Sequence, residues 1–256
     1  MSIKLKTVEE IEILKEGGRK LADILRELKK LIVPGVSSLT LESKARELFR
    51  ASDGKPAFLG YRPEGVKRPY PAALCVSVNE EIVHGIPNDS PFILEEGDIV
   101  TLDAGMLYKG MITDHAITVA VGNIDSESKR LLAVTEESLY AGIRQAKVGN
   151  TIGDIGAAIQ KIGDKAKFGI CEGLCGHGVG YTVHEDPYVP NTGKKGKGTI
   201  LQEGLVIAIE PMFAMGTEEI IGLDDEYTYI TADEKRSAHF EHTIAITKDG
   251  PIILTK

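Results

Sequence analysis

Apolar residues recur at intervals of three and four positions through two long stretches of the chain, a spacing typical of amphipathic helices. At the start of the first stretch, Thr7 followed by Glu10 forms a capping box. Glycine or proline follows where the periodicity ends. The predicted helices run from Thr7 toward Pro34, from near Ser38 to Gly54, from Ser126 to Lys147 and from Ile152 to Ile162.

The other hydrophobic segments are short, rich in β-branched residues and bounded by turn residues, which predicts strands. They cover residues 73–78, 99–103, 114–121, 176–186, 205–213, 219–230 and 238–247. Two helices followed by a hairpin of strands therefore occur twice along the chain. We expect two similar halves, although they share no detectable sequence identity.

One predicted hairpin turns at Leu107–Gly110. With the turn centred between Tyr108 and Lys109, Asp103 and Asp114 lie directly opposite each other, with Cβ atoms about 5 Å apart on one face. Two carboxylates placed in this way can share one metal ion. A slip of one residue in the pairing would instead put them on opposite faces.

Composition limits the kinds of partner. The 256 residues include 30 basic and 38 acidic side chains, a net charge of -8, which argues against a non-specific DNA- or RNA-binding protein. The first residues are polar and no apolar run has the length of a membrane span, so neither a signal peptide nor a membrane partner is expected.

Three cysteines, an odd number, fit reduced thiols and a cytoplasmic protein. No linker divides the chain, and a single domain over residues 1–256 is expected.

Five potential metal ligands lie in apolar or glycine-rich segments, where an isolated polar group is costly to bury. They are Asp103, Asp114, His177, Glu210 and Glu241. Too few lysines and arginines lie nearby to pair four carboxylates, so we expect bound cations. Oxygen-rich ligation with one imidazole is typical of divalent transition metals, and the number of carboxylates indicates two ions. The alternatives are a buried salt bridge for Glu210 and an ordinary core position for His177.

The remaining histidines and cysteines carry weaker signals. The glycines of Gly176–Gly180 lack the spacing and the following helix of a phosphate-binding loop. His84 and His184 are free to donate protons or bind substrate near the metal ions. Three histidines adjoin proposed ligands and are interpreted as outward-facing or as supports for those ligands: His115, His239 and His242. Cys171 and Cys175 do not have the spacing of a structural zinc site.

Six blocks of this sequence resemble the methionine aminopeptidases in order and spacing. The blocks are Asn79–Pro87, Asp103 with Asp114, Gly176–Gly180, His184–Pro187, Ile209–Met212 and Glu241–Thr243. The resemblance covers nearly the whole chain. It implies an α+β protein with the pita-bread fold, in which pseudo-twofold halves form a curved, mainly antiparallel sheet flanked by helices, with a dinuclear metal site at the centre.

The resemblance implies a role for each ligand. Asp103 would chelate one ion, Asp114 and Glu241 would bridge both ions, and His177 and Glu210 would complete the second. Only 33 positions separate His177 from Glu210, which resembles the type 1 members, without the long insertion of type 2. The implied cofactors are two divalent ions, with Co, Mn, Fe(II) and Zn as the candidates.

The implied reaction is removal of the N-terminal methionine from newly made proteins by a metal-activated water. Glu210 resembles the proton shuttle of the family. His84 and His184 match positions that stabilise the tetrahedral intermediate and the leaving nitrogen.

A methionine side chain needs a close-fitting apolar pocket. Tyr70, Cys75 and Tyr227 resemble pocket-lining positions of the family, with ordinary core packing as the alternative. The loop over 60–71 is longer than in compact bacterial members, and it is expected to border the pocket.

The implied partners are the N-terminal peptides of proteins, and a monomer is expected. Contact with the ribosome would favour basic residues, which makes the acidic segment 218–234 a poor docking face. The loop Gly193–Gly198 carries three lysines and suits such contact better, although a solvated turn also explains it.

Two other functions use the same ligands. An X-Pro dipeptidase or aminopeptidase of this fold usually carries a large N-terminal domain, whereas only about a hundred residues precede Asp103 here. A peptide-binding or chaperone-like relative would have lost catalysis, and the intact ligands together with His84 and His184 argue against it.

Overall fold

The helices begin and end close to the predicted positions. The computed structural model describes residues 3–256. Within that range the helices are α1 Val8–Lys29, α2 Ser38–Ala51, α3 Ser126–Ile143 and α4 Ile152–Ala166. The Thr7 side chain accepts a hydrogen bond from the Glu10 N–H and Glu10 bonds back to Thr7, which confirms the predicted capping box.

Short strands make up the rest of the regular structure. In the described range they are β1 Lys55–Pro56, β2 Cys75–Val78, β3 Glu81–Val83, β4 Ile99–Tyr108, β5 Met111–Ala120, β6 Gly169–Ile170, β7 Cys175–Gly178, β8 Glu185–Pro190, β9 Val206–Ile209, β10 Met212–Ala214, β11 Ile220–Gly222, β12 Tyr229–Thr231, β13 Ser237–His239, β14 Glu241–Thr247 and β15 Gly250–Ile253.

One curved antiparallel sheet forms the centre of the molecule, with the strand order β1-β4-β5-β14-β9-β7-β8. β2 pairs with β4, and β15 pairs with β14. The pairing of β5 with β14 joins the first half of the chain to the second. Two three-stranded sheets, β13-β10-β6 and β11-β12-β3, lie beside it.

Each half of the sheet is covered by one pair of helices. Leu25 of α1 and Phe49 of α2 pack with Leu102 of β4 in one buried cluster. Leu131 of α3 and Ile155 of α4 pack with strand residues such as Ile207 and Ile244 in another. The two clusters give the molecule the repeated helix-pair and sheet arrangement that the order of the elements predicts.

The predicted register of the β4-β5 hairpin is wrong. Tyr108 pairs with Met111, so the turn residues are Lys109 and Gly110, and both have positive φ angles, 47° and 84°. Such two-residue turns match the natural twist of a hairpin. Asp103 therefore lies opposite Ala116 and not opposite Asp114. Because the displacement is two residues, both aspartates still lie on the same face.

Several long predicted strands are interrupted at points with a clear cause. The prediction over 176–186 separates into β7 and β8, with Gly180 at φ 142° between them. The one over 205–213 divides at Pro211, which has no N–H to donate. The predictions over 219–230 and 238–247 likewise become pairs of shorter strands, and β3 lies between the predicted strands 73–78 and 99–103.

Among the described residues, the helices are too short or too polar to cross a lipid bilayer.

Candidate metal centre and substrate cavity

Five adjacent strands bring the predicted ligands together. Asp103 lies on β4, Asp114 on β5, Glu241 on β14 and His177 on β7, while Glu210 directly follows β9. All five are buried and line one cavity of about 490 Å³. The order of strands in the sheet, β4-β5-β14-β9-β7, therefore assembles the cluster from distant parts of the chain.

The glycines around His177 allow the chain to pass close to its neighbours. The pairing of β7 with β8 shifts between Gly176 and Gly178, so His177 leaves the regular ladder. A Cβ atom on Gly176 would lie 2.3 Å from the carbonyl oxygen of Ala208, and one on Gly178 would lie 2.3 Å from that of Asp186. Only glycine fits at these two positions, which explains the sequence that frames the histidine.

The tautomer of His177 is fixed by a backbone carbonyl. His177 Nδ1 lies 2.9 Å from the Gly178 oxygen, which can only accept, so Nδ1 carries the proton and Nε2 keeps its lone pair. That lone pair lies 3.3 Å from Glu210 Oε1. Two acceptors at this distance repel unless a proton or a metal ion lies between them, and imidazole with carboxylate is a typical pair of metal ligands.

Burial makes the carboxylates poor anions without a compensating charge. It raises the pKa of Asp103 to about 7 and the pKa values of Asp114, Glu210 and Glu241 well above their usual range. None of the described residues that line the cavity is lysine or arginine. Asp103 Oδ1 and Glu241 Oε1 are buried without a hydrogen-bond partner.

The donor set fits divalent ions. Ligand atoms of Asp114, His177 and Glu241 all lie within 4.8 Å of one another. Four carboxylates with one imidazole suit transition metals and harder divalent cations. The unpaired oxygens and the facing lone pairs of His177 and Glu210 are the features that bound cations would satisfy.

Hydrogen bonds from the same strands hold the proposed bridging ligands. Thr243 Oγ1 donates to the Asp114 carbonyl and accepts from the Asp114 N–H, both at 2.8 Å. His115 Nδ1 donates to the Glu241 carbonyl at 2.5 Å, and its ring stacks on His242 at a centroid distance of 4.6 Å. These contacts restrict the backbone on both sides of the junction between β5 and β14.

Of the two interpretations of His115, His239 and His242, the outward-facing one is wrong, because all three are buried. The contact of His115 with the Glu241 carbonyl fits the other interpretation, support of a proposed ligand. His115 and His242 lie in the interior next to the ligand strands. His239 lines the cavity itself. A sequence signal existed for His239: it precedes Glu241 by two positions, the spacing of residues that share one face of an extended chain.

His84 and His184 both line the cavity. His84 follows β3 with a positive φ of 62°, and its Nδ1 donates to the Tyr227 carbonyl at 3.3 Å. Its Nε2 is therefore an acceptor. His184 Nδ1 lies 2.8 Å from the Tyr61 hydroxyl. Burial lowers the pKa of both histidines, that of His184 to about 3, so both are neutral at pH 7.

The loop that carries His184 is fastened by an ion pair that sequence reasoning missed. Lys6 Nζ lies 2.6 Å from Glu185 Oε2, and the Lys6 side chain is 1% exposed. The other oxygen of Glu185 accepts from the N–H groups of Tyr181 and Thr182. The segment before α1 thus fixes one wall of the cavity.

The three predicted pocket residues also line the cavity. The Tyr70 hydroxyl donates to the Gly85 carbonyl at 2.8 Å, and its ring meets that of Tyr227 edge-on at 5.1 Å. Cys75 is buried beside them in the same apolar cluster. The cavity has further apolar and aromatic lining residues that the sequence did not single out: Phe58, Tyr61, Val83, Val183, Tyr188, Met212 and Tyr229.

The loop over 60–71 borders the mouth of the cavity, where Pro63, Glu64 and Val66 line it. The Tyr227 hydroxyl donates to the carbonyl of Arg68 at 2.6 Å, which ties the loop to the opposite rim. The Arg68 side chain also forms an ion pair with Asp89.

Comparison with known proteins identifies the family of the chain. The model of the metallopeptidase family M24 matches residues 12–248. The curated methionine aminopeptidase of Aquifex aeolicus is 44% identical over 258 residues, with 100% of both chains covered. Methionine aminopeptidase 1 of Bacillus subtilis is 43% identical, with 98% of both chains covered.

Solved structures of methionine aminopeptidases also resemble this chain. The crystal structure of methionine aminopeptidase from Thermotoga maritima superposes with a TM-score of 0.94 at 43% identity and covers 100% of both chains. Prolidase from Pyrococcus furiosus superposes with a TM-score of 0.78 at 24% identity. The match covers 98% of the present chain but 65% of the prolidase, so that likeness concerns the fold alone.

Proposed function

Because the chain belongs to metallopeptidase family M24, we propose that its five clustered side chains hold two divalent ions. Asp103 would chelate one ion, Asp114 and Glu241 would bridge the pair, and His177 and Glu210 would complete the second. The observation that carries this proposal is the buried group of four carboxylates, two of which, Asp103 and Glu241, have an oxygen without a hydrogen-bond partner. Co, Mn, Fe(II) and Zn are the candidate metals.

The enzyme has the pita-bread fold and is a metal-dependent aminopeptidase that removes methionine from the amino terminus of peptides and proteins. We propose that residues 1–256 form one catalytic domain, since the central sheet runs without interruption through both halves. A monomer is proposed because all five ligands come from one chain. A cytoplasmic location is proposed from the three free cysteines.

The bound ions would supply Lewis acidity and an activated water near neutral pH. The chain's own groups would do the remaining work. Glu210 would take a proton from the attacking water and pass it to the leaving amine. Because His84 Nδ1 donates to a carbonyl, His84 Nε2 is placed to accept a hydrogen bond from the leaving nitrogen. With the Tyr61 hydroxyl donating to His184 Nδ1, His184 Nε2 carries a proton and can donate to the oxyanion.

Specificity for methionine would come from the apolar end of the cavity. Tyr70, Cys75, Tyr227 and Phe58 belong to one buried cluster. An unbranched thioether fits such a space and gains contacts between its sulfur and aromatic rings. The hydroxyls of Tyr70 and Tyr227 already donate to backbone carbonyls. Their hydrogen atoms are therefore not available to bind a polar side chain of a substrate.

Activity on defined peptides tests this function. Protein stripped with a chelator and refilled with Mn²⁺, Co²⁺ or Fe²⁺ is expected to release methionine from Met-Ala-Ser. Lys-Ala-Ser, with a first side chain that the apolar pocket cannot solvate, is the matched control and should remain intact. Cleavage of X-Pro peptides without cleavage of Met-Ala-Ser would assign the chain to the other activity of this fold.

Transient contact with the ribosome is proposed through the loop Gly193–Gly198. Lys194, Lys195 and Lys197 are exposed there, while the backbone is anchored to the start of α4 by the Gly153 N–H, which donates to the Lys197 carbonyl at 2.9 Å. Exposed lysines on an anchored backbone suit phosphate contacts.

Reversal of the three lysines to glutamate is expected to lower co-sedimentation with ribosomes and to leave Met-Ala-Ser hydrolysis unchanged. The loss should be greatest at low salt, because each lost phosphate contact reduces the salt dependence of binding. Equal co-sedimentation of the variant and the unchanged protein would rule out this docking surface.

A further inference from the structure

His239 is a buried imidazole that lacks a hydrogen-bond partner. Its side chain is 2% exposed, and neither ring nitrogen is paired with another described residue. The backbone around it is fixed, because Thr118 Oγ1 donates to the His239 carbonyl at 2.8 Å and accepts from its N–H at 2.9 Å. An unpaired buried polar group is unfavourable. The fold therefore loses stability by holding the ring in this position, where it lines the cavity.

Glu210 lies between two imidazoles. Its Oε1 is 3.3 Å from His177 Nε2, and its Oε2 is 3.5 Å from His239 Nε2. In the first contact His177 Nε2 cannot donate, because His177 Nδ1 holds the proton of that ring. The second contact has no such constraint, since His239 Nδ1 has no bond that would fix the tautomer. His239 is thus free to carry its proton on Nε2.

The Glu210 side chain depends on such a donor. Asn191 Nδ2 donates to the Glu210 carbonyl at 3.0 Å, which fixes the backbone but does not orient the carboxylate. No hydrogen bond to the carboxylate itself is found within residues 3–256. When the second oxygen of a carboxylate ligand has no hydrogen-bond partner, the first oxygen is not held in one orientation toward the metal ion.

We propose that His239 is a positioning residue for the metal centre: its Nε2–H donates to Glu210 Oε2 and directs Oε1 toward the ion shared with His177. The inference rests on the proposed role of Glu210 as a ligand. It adds a sixth side chain to the five proposed ligands, one that acts on the metal through Glu210. The neutral ring suffices, since donation from Nε2 needs only the appropriate tautomer.

Two replacements separate the hydrogen bond from the volume of the ring. His239→Leu keeps an apolar side chain of moderate size but removes the donor, while His239→Gln keeps an N–H group. Calorimetry with Co²⁺ and Mn²⁺ on stripped protein measures the affinity and number of bound ions. Thermal unfolding of the same stripped samples measures the stability of the fold alone.

His239→Leu is expected to bind one of the two ions 10- to 100-fold more weakly, the usual effect of losing a partner of a ligand. His239→Gln is expected to stay close to the unchanged protein in affinity. The metal-free melting temperature of His239→Leu should be equal or higher, because an unpaired polar group has been removed. A purely structural histidine would give the reverse pattern, with lower stability and unchanged metal affinity.

Thr113→Val is the matched control. Thr113 is also buried with an unpaired oxygen, and it neighbours Asp114, but it lies on the other face of β5. Its replacement should leave both ion affinities unchanged. Equal metal affinity in His239→Leu and the unchanged protein, or a glutamine variant as weak as the leucine variant, would overturn the positioning role while the proposed function stands. Failure of the unchanged protein to bind ions would overturn both.

Discussion

Replacement of Asp114 by alanine is expected to abolish the binding of a pair of ions and to lower Met-Ala-Ser hydrolysis by on the order of 10³-fold or more, the scale seen when a member of a catalytic unit is removed. Asp114 has a ligand atom within 4.8 Å of those of both His177 and Glu241, the arrangement expected of a bridging ligand. Calorimetry on stripped protein gives the number of ions, and steady-state kinetics gives the activity.

Stability provides the control for this variant. Asp114→Ala removes one of four buried carboxylates that lack a paired cation among the cavity-lining residues described, so the metal-free protein should unfold at an equal or higher temperature. Asp164→Ala, an exposed position on α4, should change neither quantity. Two ions bound by Asp114→Ala with near-normal affinity would contradict the proposed bridge.

Replacement of His84 or His184 by alanine is expected to lower kcat by about 10²- to 10³-fold while both ions still bind. Each imidazole lines the cavity without belonging to the proposed ligands. Each has its Nδ1 engaged by a protein group, Tyr227 for His84 and Tyr61 for His184, so that Nε2 is available to substrate. The measurement is kcat for Met-Ala-Ser at saturating metal, together with calorimetric ion counts.

Tyr61→Phe is the matched variant for His184, because it removes the hydroxyl that contacts Nδ1 and keeps the ring. Its effect on kcat should be in the same direction and smaller than that of His184→Ala. A His84→Ala or His184→Ala variant with unchanged kcat would show that the imidazole serves only to shape the cavity.

The elements with local signals could be predicted from sequence. Helix α1 begins at its capping box, and the remaining helices lie within a few residues of their predicted limits. Their signals are contained in one turn of sequence, where caps and periodicity act directly. The family could also be recognised, because six short blocks of functional residues keep their order.

Register and strand limits were less predictable, because they depend on pairing partners. The β4-β5 turn is displaced by one position from the prediction, since Lys109 and Gly110 adopt positive φ angles. The apolar run over 205–213 did not show that the strand would divide at Glu210 and Pro211 into β9 and β10.

Contacts across long separations in sequence were not predicted at all. Lys6 meets Glu185 across 179 positions, and nothing near either residue marks the other. The sequence left open whether His115, His239 and His242 face outward or support the ligands for a related reason, since exposure depends on what packs over a strand. The roles of the five proposed ligands, of His84 and His184, and of the pocket residues stay predictions until the variants above are measured.

The junction between β5 and β14 has a consequence for the lifetime of the protein. Asp114 and Glu241 come from opposite halves and meet there, so the proposed shared ions would link the two halves of the molecule. Ligands that bind only the native state add to its stability, by about 2.7 kcal/mol at one hundred times their dissociation constant. When metal is scarce, the metal-free enzyme would be inactive and, being less stable, more easily degraded by proteases. The amount of enzyme would then follow the concentration of available metal ions.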